Sequence, residues 1–198
     1  MGNASPLFSS CRFEEIEQPS VFISEEAIGY FCNCKMYVEE SLAIIRVQDK
    51  AQGYFFSSSI GYSRADGVWI MDEASVKFEN CCFEQFWDDG SGMPEGPIYL
   101  DAKEGKKIVF FNCSFFATEE NRMCFCIRGK GPAVFENCNL FYPTHAYLFD
   151  KEEFHKHEFY NCRFNRTFQV IFPNMENCFF EPEATKEKFM KGGCDLDI

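Results

Sequence analysis

A six-residue phrase, Phe-x-Asn-Cys-x-Phe, recurs along the chain and constrains its fold more than any other feature. Counting weaker copies, the phrase is centred on Cys11, Cys34, Ser58, Cys81, Cys113, Cys138, Cys162 and Cys178. Most successive centres lie 23 to 25 residues apart. A repeat of this length is typical of a solenoid, in which each unit packs only against its neighbours.

Each copy predicts two short strands around a sharp corner. Strand alternation places Phe78 and Phe83 inward with Cys81, while Cys82 faces solvent. Asparagine suits the corner because it tolerates the left-handed backbone conformation, and its amide can bond to the equivalent amide one coil away. The predicted structural ladder consists of Asn33, Asn80, Asn112, Asn137, Asn161 and Asn177, with Cys34, Cys81, Cys113, Cys138 and Cys162 in an inward column.

Most repeats carry a second apolar strand about ten residues after the phrase. These segments are 21–23, 43–45, 68–70, 98–100, 124–126, 147–149 and 170–172. Together with the phrase, they resemble the right-handed parallel β-helix of the pectate-lyase-like superfamily, which implies an internal asparagine ladder. The predicted fold is therefore all-β, a right-handed parallel β-helix of about eight coils with a short C-terminal capping helix. A leucine-rich repeat shares the period, but its leucine consensus is missing.

Three segments are expected along the chain. Residues 1–6 form an N-terminal tail, residues 7–180 form the β-helix, and residues 181–198 form a C-terminal cap or tail. Pro182 near a helix start and Gly192 after its end favour a helix over the last coil. The edge at Leu7 is expected to stay open to a partner or to a second copy.

Composition narrows the possible partners and the compartment. The net charge is −12 and the basic residues are scattered, so nucleic acid and anionic membranes should be repelled. There is no apolar run of 18 residues and no secretory signal, which predicts a cytoplasmic protein with reduced thiols, with a cytoskeletal location as one option. Neither a metal site nor a cofactor is predicted, and 155–157, a His-Lys-His sequence, is expected to be a solvated turn.

Two features are candidates for interaction. The step from Cys81 to Cys113 contains about eight extra residues, and the resulting loop carries Trp87, Asp88 and Asp89. The outward position before the corner asparagine is aromatic in several coils, which suggests a contact face. The residues at that position are Phe56, Phe111 and Tyr160.

The sequence favours a non-catalytic function. Asp88 and Asp89 form an adjacent acidic pair, yet no carboxylate cluster of the kind used by polysaccharide-cleaving β-helices is evident. We expect a rigid structural or protein-interaction element of a larger intracellular assembly, with the loop and the outward aromatic column as the candidate sites. The alternative is a carbohydrate-binding or polysaccharide-cleaving β-helix module.

Overall fold

A computed structural model describes residues 5–14, 19–37, 43–63, 66–86, 98–102, 106, 108–116, 127–129, 131–141, 157–165 and 174–181. The regular structure of these residues consists of short strands. In chain order the strands are β1 (Leu7–Ser9), β2 (Arg12–Glu14), β3 (Val21–Ile23), β4 (Ile28–Cys32), β5 (Lys35–Tyr37), β6 (Ala43–Val47), β7 (Gln52–Phe56), β8 (Ser59–Ser63), β9 (Asp66–Asp72), β10 (Ser75–Glu79), β11 (Cys82–Phe86), β12 (Ile98–Ala102), β13 (Ile108–Phe111), β14 (Ser114–Phe116), β15 (Ile127–Gly129), β16 (Ala133–Glu136), β17 (Asn139–Phe141), β18 (Glu158–Tyr160), β19 (Arg163–Asn165), β20 (Met175–Glu176) and β21 (Phe179–Glu181).

The strands form three parallel sheets. Sheet 1 has the order β1-β4-β7-β10-β13-β16-β18-β20, sheet 2 has the order β2-β5-β8-β11-β14-β17-β19-β21, and sheet 3 has the order β15-β12-β9-β6-β3. Neighbours within a sheet come from successive repeats of the sequence, so the chain winds through the sheets in turn. The predicted all-β parallel solenoid is confirmed.

Sheets 1 and 2 meet at the repeated phrase. The two phenylalanines of each phrase, one in each sheet, point into the core. In sheet 1 the first phenylalanine of successive phrases stacks ring on ring, with centroids 4.7 to 5.0 Å apart from Phe8 to Phe159. The second phenylalanine, in sheet 2, meets this column edge to face, as Phe83 does with Phe78. Both arrangements are favourable for aromatic pairs, and full burial of each ring adds about 1.5 to 3 kcal/mol.

The corner between sheets 1 and 2 has the left-handed backbone conformation expected of asparagine. The six corner asparagines have φ between 52° and 56°, and Ser10 and Ser57 take the same conformation in the other two corners. Each turn is held to the next coil through its backbone: the N–H of Asn137 donates to the carbonyl of Tyr160 at 2.9 Å. An amide-to-amide bond joins Asn112 to Asn80, and the Asn33 amide donates to the Ser10 hydroxyl.

The expectation that the asparagine ladder is internal is wrong. The side chains of Asn33, Asn112, Asn137, Asn161 and Asn177 are exposed. The side chain before the corner asparagine points outward and the cysteine after it points inward, as Glu136 and Cys138 do, and the left-handed residue between them holds its own side chain on the outside of the bend. The ladder therefore lies on the surface of the rod.

The inward cysteines form a column of thiols from successive coils. The Cys138 thiol lies 3.4 Å from the carbonyl oxygen of Glu136 and 3.3 Å from that of Phe110 in the preceding coil, and Cys162 repeats the pattern. Burial raises the pKa of the Cys113 thiol well above its usual value, and hydrogen bonds with neighbouring thiols act in the same direction. The cysteines in the described part of the chain form no disulfide bonds.

Two further expectations are wrong because burial depends on neighbouring coils. Cys82 points outward but is fully buried, and nearby Ser59 and Glu84 on the same face are only 8% and 3% exposed, so solvent does not reach this part of sheet 2. His157 is 1% exposed rather than part of a solvated turn. It lies in an inward position, where its Nδ1 accepts a hydrogen bond from the N–H of Ala133 at 3.2 Å.

The third strand of each coil follows the prediction in the first half of the chain. β3, β6, β9 and β12 contain the expected apolar segments. The strand that pairs with β12 is Ile127–Gly129, three residues after the segment 124–126 predicted for it. Segments 124–126, 147–149 and 170–172 lie outside the described residues, as do 155–156 and the predicted capping helix after Glu181. The division into tail, β-helix and cap stays a prediction.

A second corner, between sheets 3 and 1, has no counterpart in the sequence prediction. Glu25, Asp49 and Asp72 take the left-handed conformation there, with φ between 56° and 61°. The Asp49 carboxylate accepts a hydrogen bond from the N–H of Glu25 at 2.9 Å, and Asp72 accepts one from the N–H of Asp49 at 3.3 Å. These carboxylates satisfy backbone donors of adjacent coils, as side-chain oxygens do in turns.

Candidate interaction surfaces

The outer face of sheet 1 presents two columns of side chains in register. One column runs through Tyr30, Tyr54, Lys77, Val109, Val134 and Glu158. The other runs through Cys32, Phe56, Glu79, Phe111, Glu136, Tyr160 and Glu176. Almost all of these residues are half-buried, because each covers part of its neighbours one rung away. The surface is therefore flat and of mixed aromatic and acidic character.

Ladder contacts hold these side chains in place. The rings of Tyr30 and Tyr54 stack with centroids 5.1 Å apart and planes 11° apart. Lys77 lies 2.7 Å from the Glu79 carboxylate and 5.9 Å from the centre of the Phe111 ring. Such in-register pairs reduce the number of side-chain rotamers, so little further entropy is lost when a partner binds.

The sequence prediction placed Phe56, Phe111 and Tyr160 in one outward column. The structure has all three in that column, on β7, β13 and β18. They are separated by Glu79 and Glu136, so they form an alternating aromatic and acidic ladder rather than a continuous aromatic patch. The other predicted interaction residues, Trp87, Asp88 and Asp89, lie outside the described residues.

The two columns have an excess of negative charge. They contain one lysine, Lys77, and four glutamates, Glu79, Glu136, Glu158 and Glu176. Lys77 is paired with Glu79, so the remaining carboxylates set the sign of the surface. A partner with a basic rim around an apolar centre would be complementary to it.

A second ladder, on the outer face of sheet 3, was not predicted. Phe22, Arg46, Trp69 and Tyr99 occupy one outward column. The Arg46 guanidinium carbon lies 5.6 Å from the centre of the Phe22 ring and 5.8 Å from that of Trp69, while the Trp69 and Tyr99 rings are 5.4 Å apart. Phe22, Arg46 and Trp69 each follow a phrase centre by 11 or 12 residues. That common offset was the signal that could have revealed the ladder.

A buried carboxylate lies on the outer face of sheet 2. Glu84 is 3% exposed and accepts a hydrogen bond from the Tyr37 hydroxyl at 3.3 Å. Between their strands lies Gly61, where a Cβ atom would come within 2.2 Å of the Glu84 carbonyl oxygen. The glycine thus permits a close approach that any side chain would block. These contacts fix the packing of three adjacent strands around Glu84.

Two features are absent from the described residues. No group of three or more His, Cys, Asp or Glu side chains there has a geometry that could hold a metal ion. No helix in the same part of the chain is long and apolar enough to cross a membrane.

Comparison with known families agrees with this architecture. A family model described as a right-handed β-helix region matches residues 1–170. The chain belongs to the right-handed β-helix family, consistent with the resemblance to the pectate-lyase-like superfamily. No curated protein and no solved structure matches it significantly.

Proposed function

We propose that this protein is a non-catalytic β-helix that docks another protein through the outer face of sheet 1, as a rigid component of a larger intracellular assembly. The observation that carries this proposal is the pair of in-register, half-buried columns around Phe111. The proposal includes a cytoplasmic location, and a cytoskeletal assembly is one setting in which a stiff rod would serve.

Rigidity supports a scaffolding role. Every strand of sheet 1 pairs with parallel neighbours, and the phenylalanine column behind it is continuous from Phe8 to Phe159. A side chain on the outer face is thus fixed relative to others several coils away. Solenoids present long binding surfaces in this way, and little entropy is lost in ordering them when a partner binds.

The arrangement of the rings favours a protein partner over a glycan. Sugars stack on exposed faces of aromatic rings, but the faces of Tyr30 and Tyr54 are turned toward each other along the rod. On sheet 3, Arg46 likewise lies between the rings of Phe22 and Trp69. The stacked rings therefore present mainly their edges and hydroxyl groups to a ligand. Edges and hydroxyl groups suit the irregular surface of a protein.

Charge indicates the kind of protein. The glutamates of the outer face of sheet 1 match a basic rim on the partner, and the net charge of −12 would steer such a partner toward the rod. The same charge disfavours nucleic acid and anionic lipid. Binding should weaken as salt is raised, because exposed charges are screened within about 10 Å at 0.1 M.

The proposal is tested by affinity capture from a lysate of the native source. The wild-type protein is compared with Phe111→Glu, which adds a charge to the centre of the outer face of sheet 1. Phe22→Glu is the matched control, since it makes the same change in an exposed ring on sheet 3. Trp87→Ala tests the loop predicted from the sequence.

The expected result is one stoichiometric, salt-sensitive protein that is retained by Phe22→Glu and lost with Phe111→Glu. Circular dichroism establishes that each variant is folded before capture. Recovery of no partner by the wild-type protein, or equal capture by wild type and Phe111→Glu, would contradict the proposal. Loss with Trp87→Ala alone would move the site to the loop.

A further inference from the structure

Both ends of the β-helix present edge strands of sheets 1 and 2 with exposed apolar side chains. Among the described strands, β1 and β2 are the first of sheets 1 and 2, and β20 and β21 are the last. Apolar side chains are accessible at both ends: Leu7 is 67% exposed, Phe179 is 61% exposed and Phe180 is 42% exposed. Edge strands with exposed apolar residues are templates for further pairing.

We infer that a second copy of this chain stacks end to end on the first, with β1 and β2 of one copy pairing with β20 and β21 of the next. The repeat fixes the register. Phe8 would follow Met175 in the core column, Cys11 would follow Cys178 in the thiol column, and Phe13 would follow Phe180. Each pair repeats the contact found between neighbouring coils inside the rod.

The backbone polarity of the two ends is complementary. Inside the rod, Asn161 N–H donates to the Glu176 carbonyl and Phe179 N–H donates to the Cys162 carbonyl, each at 2.9 Å. Continuing the pattern by one coil, the Asn177 N–H would donate to the carbonyl of Ser9 in the next copy. The Arg12 N–H of that copy would donate to the Cys178 carbonyl. Head-to-tail stacking therefore pairs donors with acceptors.

Outward side chains add a complementary contact. The same register places the Arg12 side chain, which is 66% exposed, beside the exposed ring of Phe179. A guanidinium beside an aromatic ring already occurs in the ladder of Arg46 and Trp69 on sheet 3. An arginine beside a phenylalanine on the outside of a junction is favourable in the same way.

This inference goes beyond the proposed function, because it concerns the ends of the rod and needs no other protein. A head-to-tail contact uses different surfaces on the two copies and does not close on itself. Its product is a filament that lengthens with concentration. Because each copy carries a charge of −12, repulsion opposes stacking, and salt should strengthen it.

Sedimentation velocity of the full chain tests the inference, at concentrations from about 1 to 200 µM and at low and high salt. Arg12→Glu and Phe179→Lys each change one exposed side chain at one end. Each alone should weaken association by about tenfold or more, as loss of an arginine or aromatic anchor does at other interfaces. An equimolar mixture of the two variants should associate again, because the introduced carboxylate then meets the introduced ammonium group and the unaltered ends meet each other.

Ser114→Glu is the control, because it lies in the same outward column of sheet 2 as Arg12 and Phe179 but away from both ends, and it should associate like the wild type. A single sedimentation coefficient at every concentration and salt would overturn the inference and would favour ends covered by the chain's own terminal residues. Association that only one of the two variants weakens, or that the mixture does not restore, would also overturn it, since a contact between like ends would behave in that way.

Discussion

Asn137 is the corner residue at which the backbone contribution to stability can be measured most cleanly. Its φ is 56° and its side chain is exposed, so a substitution changes the conformational preference with little effect on packing. Alanine disfavours the left-handed conformation by about 1 to 2 kcal/mol. Glycine adopts it freely but loses more entropy on folding. Because both substitutions remove the same amide, their difference isolates the backbone.

We expect Asn137→Ala to lower the free energy of unfolding by about 1 to 2 kcal/mol. Asn137→Gly should stay within about 0.5 kcal/mol of the wild type, since its ease in the left-handed region offsets its entropy cost. For a chain of this size, the alanine variant would then melt about 2 to 8 °C lower.

Urea unfolding followed by far-UV circular dichroism measures the two free energies. Hydrogen exchange then shows whether the loss is shared by the coils on both sides of Asn137, as nearest-neighbour coupling in a solenoid requires. Equal stability of the alanine and glycine variants would refute the reasoning, because it would mean that the left-handed corner imposes no selection on the residue.

Three further predictions concern the core, the thiols and the sheet 3 ladder. Phe110→Ala should cost about 3 to 5 kcal/mol in urea unfolding, because the ring is fully buried between two stacked rings, whereas Phe8→Ala at the half-buried end of the column should cost less than half as much. Equal losses of stability in the two variants would contradict a phenylalanine column that is fully packed in its interior and only half-buried at its end. The free energy of unfolding should fall as pH rises above 9.0, the usual thiol pKa, because thiols then ionise in the unfolded chain while burial keeps Cys113 protonated in the fold. The fall should be about 1.4 kcal/mol per pH unit for each thiol whose pKa burial raises. Urea unfolding between neutral and alkaline pH measures this, and Cys113→Ala should reduce the slope by one thiol's share. Arg46→Met should cost about 0.5 to 2 kcal/mol through loss of the cation between two rings, and the cost should vanish in a Trp69→Ala, Phe22→Ala background in a double-mutant cycle.

The sequence predicts those parts of the fold that depend on local periodicity. Alternation around each phrase sends Phe78 and Cys81 inward, and the structure has both fully buried. The preference of asparagine for the left-handed region likewise predicts the conformation of Asn80 and its equivalents. Both inferences need only the residues within one repeat.

The features that the sequence did not predict depend on contacts between repeats. The corner position of Asn112 follows from its own repeat, but its exposure depends on how both flanking strands bend away from it. The burial of Cys82 depends on adjacent strands, and that of His157 on the coil before it. Arg46 and Trp69 are adjacent only once the register between two coils is known. Such contacts join residues that are a full repeat or more apart in the chain.

The candidate site was predicted in part for the same reason. The column of Phe56, Phe111 and Tyr160 follows from strand alternation alone, so its residues could be named from the sequence. The neighbouring column, with Tyr30 and Tyr54, was not predicted because its residues lie directly before the first phenylalanine of the phrase and so outside the repeated pattern.

Photo-crosslinking from the outer face of sheet 1 is the most direct test of the central claim. A photoreactive phenylalanine analogue placed at Phe111 is compared with the same analogue at Phe22 on sheet 3, in lysate of the native source. We expect one dominant crosslinked protein from position 111, in lower yield at high salt, and no crosslink to that protein from position 22. The same protein crosslinked equally from both positions, or no protein crosslinked from position 111, would contradict docking through this face.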